Sequence, residues 1–291
     1  MIALHDQSFE ATPPLWGLVS WRDPRTPSDR YLLASAISFV KDGRDGWDWC
    51  VGDLIDYLAN KKSLCDAVNP LEVLGTITGN FHANLADGSS CDNWSSEYWL
   101  AIAQRELRDA LSEVQNEAGT RLKDLSFGIY DQIQQISKIE TTPVTRIHGD
   151  LHVGQFLRAF DAPTADQASY FIIDFDGNPL DNGLDQNLPA ATDVASMLQS
   201  IDHVGRIVLH KNEGTPAKMV ATWIRESQQK FMVGYRSALQ QRGFQHLLDE
   251  RLLRPFRIRQ ELREYLYAAR HLPRWGYVPD SAMPALLKED S

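Results

Sequence analysis

Apolar and polar positions along the chain change period near residue 50. Before it, "PLWGLVSWRD" (Pro14–Asp23) reads as a strand and "RYLLASAISFV" (Arg30–Val40) as a second, mostly buried one. The turn "DPRTPSD" between them carries two Pro and two Asp, so the pair predicts an antiparallel hairpin. "KDGRDGWDW" (Lys41–Trp49) breaks the pattern, and a lobe boundary is placed there, dividing the chain into residues 1–45 and 46–291. Beyond it the period is helical. The segments with that spacing are Asp53–Asn60, Pro70–Ala86, Glu97–Gly119, Leu125–Ile139, Asp193–Leu209, Ala221–Gly243 and Arg259–Leu272. Asp193 is expected as the N-cap of its helix. Glu97–Gly119 is expected as one long helix ending near Gly119. Pro143 ends the helical run and leads into a loop, a β-like pair and the apolar run "YFIIDFDGNP" (Tyr170–Pro179). The fold class is therefore α+β: a short β segment, then a mostly helical domain with one small β insert.

Composition narrows the function classes. At 291 residues and 43% hydrophobic, the chain can bury a sizeable core. A net charge of −10 disfavours nucleic acid as a partner, because such a surface repels phosphate backbones. It is compatible with a cationic substrate. Cys50, Cys65 and Cys91 match no zinc spacing, and an odd count fits reduced thiols in a cytoplasmic protein. "MIALHDQSFE" is no signal peptide, and no apolar run is long enough to span a membrane. The sequence gives no oligomeric state.

The chemistry concentrates in "RIHGDLHVGQF" and in the apolar run after it. Gly149 and Gly154 permit a tight loop with close backbone approach. Asp150 and His152 alternate, so both can face one side of an extended loop. Gln155 brings an amide oxygen that suits a hard cation such as Mg²⁺. Asp174 ends the apolar "FIID", where burying a carboxylate is costly unless it meets a cation or several donors. One base and two metal ligands are what phosphoryl transfer requires: Asp150 for the hydroxyl proton, Gln155 and Asp174 for the metal on the nucleotide phosphates.

These residues resemble the catalytic and metal loops of the aminoglycoside-phosphotransferase-like kinases, relatives of protein kinases. That pattern is His-Gly-Asp, an amide five residues on, and an "IIDF" strand some twenty residues later. Here the spacings from Asp150 are 5, to Gln155, and 24, to Asp174. Gln in place of the usual Asn, together with "DFDGNP", is similar to the maltokinases and more so to the actinobacterial glucosamine kinases. "REYLYAARHLPRW" (Arg263–Trp275) is similar to both, and "ATDVASMLQSIDH" to a family helix whose Asp braces the catalytic loop. The likeness runs from about Pro13 to the end. It implies a protein-kinase-like fold with ATP and Mg²⁺, a sugar acceptor, and glucosamine converted to glucosamine 6-phosphate as the reaction. It implies loop support from His148 and Asp193, and acceptor contacts from His152, Asp176, Glu261, Glu264 and Trp275. Ser38, Phe39 and Val40 would enter the nucleotide hinge. For Glu261 and Glu264, surface pairing with Arg257 or Arg263 is the competing reading.

One departure stands out. Only two strands precede the helical part and no Lys occurs before Lys41. The resemblance implies a larger amino-terminal lobe with a phosphate-binding Lys. The expectation is thus a remnant of that lobe, in a fragment or short form. A catalytically inactive binding module and a maltokinase are the alternatives. A metallophosphoesterase reading of "GDLH" with "GNFH" (Gly79–His82) fails on motif order. Trp47, Trp49, Trp94 and Trp99 are read as packing residues.

Overall fold

The computed structural model describes residues 4, 9–26, 30–86, 94–160, 168–177 and 187–289. Strands β1 (Leu15–Arg22) and β2 (Arg30–Ile37) form the expected antiparallel hairpin, with Trp21 opposite Tyr31. This hairpin buries little. Trp16 is 79% exposed and Leu33 64%, so β2 is not the mostly buried strand its apolar run predicts. Ser38 donates its backbone N–H to the Pro14 carbonyl, and Phe39 stands 89% exposed.

Eight helices make up most of the rest of the described chain: α1 (Gly46–Leu58), α2 (Leu64–Leu85), α3 (Ser96–Glu113), α4 (Glu117–Gln134), α5 (Ala191–Lys211), α6 (Ala217–Arg242), α7 (Leu253–Arg270) and α8 (Tyr277–Lys288). Several begin earlier than their spacing predicts, because the caps lie outside the apolar stripe. Asp45 caps α1 by accepting the Asp48 N–H, inside the stretch read as a break. Ser63 caps α2, which runs through Pro70. The expected single helix over Glu97–Gly119 is two, since Asn116 accepts the Gly119 N–H and starts α4 afresh. Asp193 is not an N-cap. That position belongs to Ala190, and Asp193 sits within the first turn with its side chain buried. Gly243 ends α6 in the left-handed conformation.

Two buried clusters meet across α5. One joins α1, α2, α6 and the loop before β4 through Trp49, Leu71, Leu74, Val153, Phe156, Trp223 and Phe231. The other joins α3, α4, α7 and α8 through Trp99, Leu122, Ile133, Leu262 and Met283. Helices α2 and α6 touch backbone to backbone: a methyl group added at Gly75 would lie 2.0 Å from the Phe231 carbonyl oxygen. The β insert is a hairpin of β4 (Phe156–Phe160) and β5 (Ala168–Ile172), with Phe156 opposite Ile172. Arg158 on β4 ties it to α1, donating to Asp53 at 2.6 Å and covering the Trp49 ring. A minor pairing joins β3 (Thr145–Arg146), just before the motif loop, to β6 (Asn187–Leu188), just before α5. No described helix is long and apolar enough to cross a membrane.

Candidate active site

The β4–β5 hairpin explains how residues distant in sequence come together. Gln155 lies just before β4 and Ile173 just after β5. The Ile173 N–H donates to the Gln155 carbonyl at 2.9 Å, extending the ladder by one bond. Asp174 is the next residue. Its carboxylate Oδ2 lies 3.3 Å from the Gln155 side-chain nitrogen, which is also 3.3 Å from His152 Nε2. Asp174 is exposed, not buried as the apolar run implies, and adopts φ 64°. An Asp tolerates that left-handed backbone better than most residues. Asp176 is exposed in the turn that follows, while Asn178 and Pro179 of the same motif lie outside the described residues.

The loop that carries Asp150 is held from beneath by one carboxylate. Asp193, fully buried, accepts the backbone N–H of His148 at 2.8 Å and of Gly149 at 3.0 Å. His82 on α2 donates to it through Nε2 at 3.0 Å, and His82 Nδ1 takes the Tyr235 hydroxyl at 2.7 Å. Burial acts to raise the Asp193 pKa, but the bonds from His82 and the loop outweigh it and hold the carboxyl below its ordinary range. The His148 ring lies against Phe175 and donates through Nε2 to the Ile173 carbonyl at 2.9 Å. Gly149 has φ 85°, a turn that favours glycine.

Asp150 faces a cavity of about 690 Å³, whose walls include Trp47, His152, His203, Glu264 and Trp275. Trp47 enters because two glycines let α1 sit on the motif loop. A methyl group added at Gly46 would lie 1.7 Å from the Val153 carbonyl oxygen, and one at Gly154 would lie 2.6 Å from Trp47 Nε1. Opposite, Glu264 accepts the Trp275 indole N–H at 2.7 Å and the Gln260 amide at 3.0 Å. Glu261 is a correction. It is fully buried, does not line the cavity, and is bonded to Gln199 and, at 2.7 Å, to His203 Nε2. Arg257, one of its proposed surface partners, instead binds Glu289 and Gln199.

The two cavity histidines titrate in opposite directions. Burial lowers His152 to about 4, leaving a neutral ring whose Nδ1 accepts the Gly154 N–H. Burial acts to lower His203 as well, but the Glu261 carboxylate overrides it and raises the group to about 9. The linkage signs follow. Below pH 6.5 the unfolded chain binds a proton that His152 refuses, so stability falls as pH drops from 6.5 toward 4. Above pH 6.5 the folded His203 keeps a proton that the unfolded chain releases, so stability falls again as pH rises through about 9. From these two histidines, thermal stability is expected to fall on both sides of about pH 6.5. A Tm flat from pH 6.5 to 9 would contradict the charged His203.

Trp47, His203 and His82 do not stand out in the sequence as site residues. The available signal was on α5, where Ser196, Ser200, His203 and Ile207 recur at helical spacing and all line the cavity. Polar residues there interrupt an otherwise apolar face.

The donor set suits Mg²⁺. Among the described residues no group of three or more His, Cys, Asp or Glu gathers as a metal cage. One carboxylate and one amide in contact are what that ion uses when nucleotide phosphates and water complete its shell.

No family model matches the sequence. The glucosamine kinase of Streptacidiphilus jiangxiensis is 37% identical over 292 residues, covering 99% of this chain and 64% of that protein. The glucosamine kinase of Mycolicibacterium smegmatis is 33% identical over 290 residues, covering 99% of this chain and 70% of that protein. The chain thus spans roughly two thirds of the length of these relatives. A crystal form of a glucosamine kinase superposes with TM-score 0.89 at 37% identity, covering 99% of this chain and 68% of that one. A glucosamine kinase in complex with glucosamine, ADP and inorganic phosphate superposes with TM-score 0.88 at 36% identity, covering 98% and 67%. The relatives in sequence and in structure are sugar kinases. The chain belongs to the glucosamine kinase family.

Proposed function

We propose that the protein serves ATP-dependent phosphorylation of glucosamine at its 6-hydroxyl, on a protein-kinase-like scaffold in the cytoplasm. The observation that carries this reading is the single cavity joining Asp150 to the Glu264–Trp275 pair. A catalytic carboxylate faces it from one side. From the other comes a carboxylate held in place by two neutral donors, which suits an ammonium group.

In this reading Asp150 accepts the hydroxyl proton as the sugar oxygen attacks the γ-phosphorus. Asp193 fixes the loop so that Asp150 meets the hydroxyl without reorganising. Gln155 and Asp174 would hold Mg²⁺, which when bound with nucleotide offsets the phosphate charge. Neutral His152 places no positive charge beside that site. Ser38–Val40 would contact the nucleotide base. Asp176 stands exposed two residues beyond Asp174, where it would contact the metal or the sugar.

The test is direct binding by calorimetry with the full chain. Glucosamine is expected to bind at least ten-fold tighter than glucose or maltose. Glu264→Gln should remove about ten- to a hundred-fold of glucosamine affinity, the worth of one charge-assisted hydrogen bond, and leave glucose nearly unchanged. Maltose binding as tightly as glucosamine would overturn the acceptor assignment.

A further inference from the structure

We infer that His203 is a specificity-determining residue that reads a ring hydroxyl of the acceptor. This rests on the proposed glucosamine reading and divides the recognition there into two tasks. His203 projects from α5, is 3% exposed, and lines the cavity that Asp150 faces. Its Nε2 is bound to Glu261 at 2.7 Å. Its Nδ1 has no protein hydrogen bond among the described residues, and the ring stands edge-on to Trp275 with centroids 6.1 Å apart.

Glu261 is more than a neighbour. It is fully buried, takes the Gln199 amide as well, and its Oε2 has no hydrogen-bond partner. A buried carboxylate in that state is tolerated when a cation shares the site. Holding the proton on His203 meets that need, and it makes both ring nitrogens donors. One faces Glu261. The other is left to the cavity as a donor with nothing of the protein to donate to.

The charges around it fix what that donor recognises. Glu264 and Arg263 on α7 line the same cavity, Glu261 lies behind the ring, Asp202 on α5 is engaged by Arg206, and His152 on the motif loop is neutral. The His203–Glu261 pair is neutral as a unit, so it does not repel an ammonium bound at Glu264. An imidazolium cannot accept from that ammonium. It can donate to a hydroxyl oxygen. Trp275 spans the two groups, giving its N–H to Glu264 and its ring edge to His203. Among the polar walls of the cavity, Glu264 is thus an acceptor for the amine and His203 a donor for a hydroxyl, both in contact with one indole.

The experiment measures affinities of the full chain for glucosamine and for its 1-, 3- and 4-deoxy analogues. One analogue should bind the parent about ten-fold more weakly than glucosamine. In His203→Gln that same analogue and glucosamine should bind within two-fold of each other, with both weaker than glucosamine on the parent. Glucose should lose affinity in His203→Gln as well, unlike in Glu264→Gln. A merely structural role would weaken all ligands by one common factor and leave the deoxy difference intact, which would overturn the inference. If His203→Gln fails to fold, the neutral pair His203→Gln with Glu261→Gln removes the unpaired buried charge, and the same comparison applies. A parent that binds no glucosamine overturns the functional reading and this inference with it. A parent that binds glucosamine with no deoxy difference abolished by the variant overturns the inference alone.

Discussion

Asp150→Asn is expected to lower the rate of phosphoryl transfer to glucosamine by about a hundred- to ten-thousand-fold, with glucosamine affinity within about two-fold of the parent. The change preserves shape and removes only the ability to accept a proton. Asp150 faces the cavity, and in the proposed reading the groups that distinguish one sugar from another are Glu264, Trp275 and His203 on its other walls. The loss should therefore be equal for every acceptor that is turned over. A kcat within ten-fold of the parent would remove Asp150 from the base role. A selective loss with one sugar would make it a binding residue instead.

The second large effect is expected at Asp193. Asp193→Ala strips the acceptor from two backbone N–H groups, those of His148 and Gly149, and from the His82 ring, all at once. Breaking such a buried, charge-assisted cluster costs about 3–5 kcal/mol, a fall in Tm on the order of 10 °C. Turnover should fall with it, because the loop carrying Asp150 loses its floor. His82→Ala should cost less, since the two loop bonds to Asp193 persist. The depressed Asp193 pKa adds a sign. Its stabilisation is present above the ordinary carboxylate range and is lost as pH falls through the lower folded value. A Tm drop under about 3 °C in Asp193→Ala would mean the loop is held by other contacts.

Much of this site was legible because its chemistry is local in sequence. Asp150 and Gln155 share one loop, and Asp174 follows an apolar run that reads as a strand. What failed to show were contacts made by register and by angle. Glu261 and Glu264 are three residues apart, and on a helix that is a rotation of about 300°. The remaining 60° sends one behind His203 and the other into the cavity. No periodicity distinguishes them. Trp47 looked like core because aromatic residues usually are. Its place depends on two backbone approaches, at Gly46 and Gly154, that only the folded chain creates. His82 sat in an apolar helical stripe as one more packed residue, and its meaning came from Asp193, over a hundred residues away. Helix starts were misplaced where caps such as Asp45, Ser63 and Asn116 fell among polar residues that read as loop.

The residue ahead of Asp174 has both of its backbone groups taken. The Ile173 N–H is given to Gln155, and the Ile173 carbonyl receives the His148 ring. Pulling residue 173 and the Asp174 carboxylate away from the motif loop would have to break both bonds, and with them the link to the loop bearing Asp150. The two halves of the site are thereby geared to one another. A swing of this segment on its own is opposed, and a displacement of either half of the site is felt by the other.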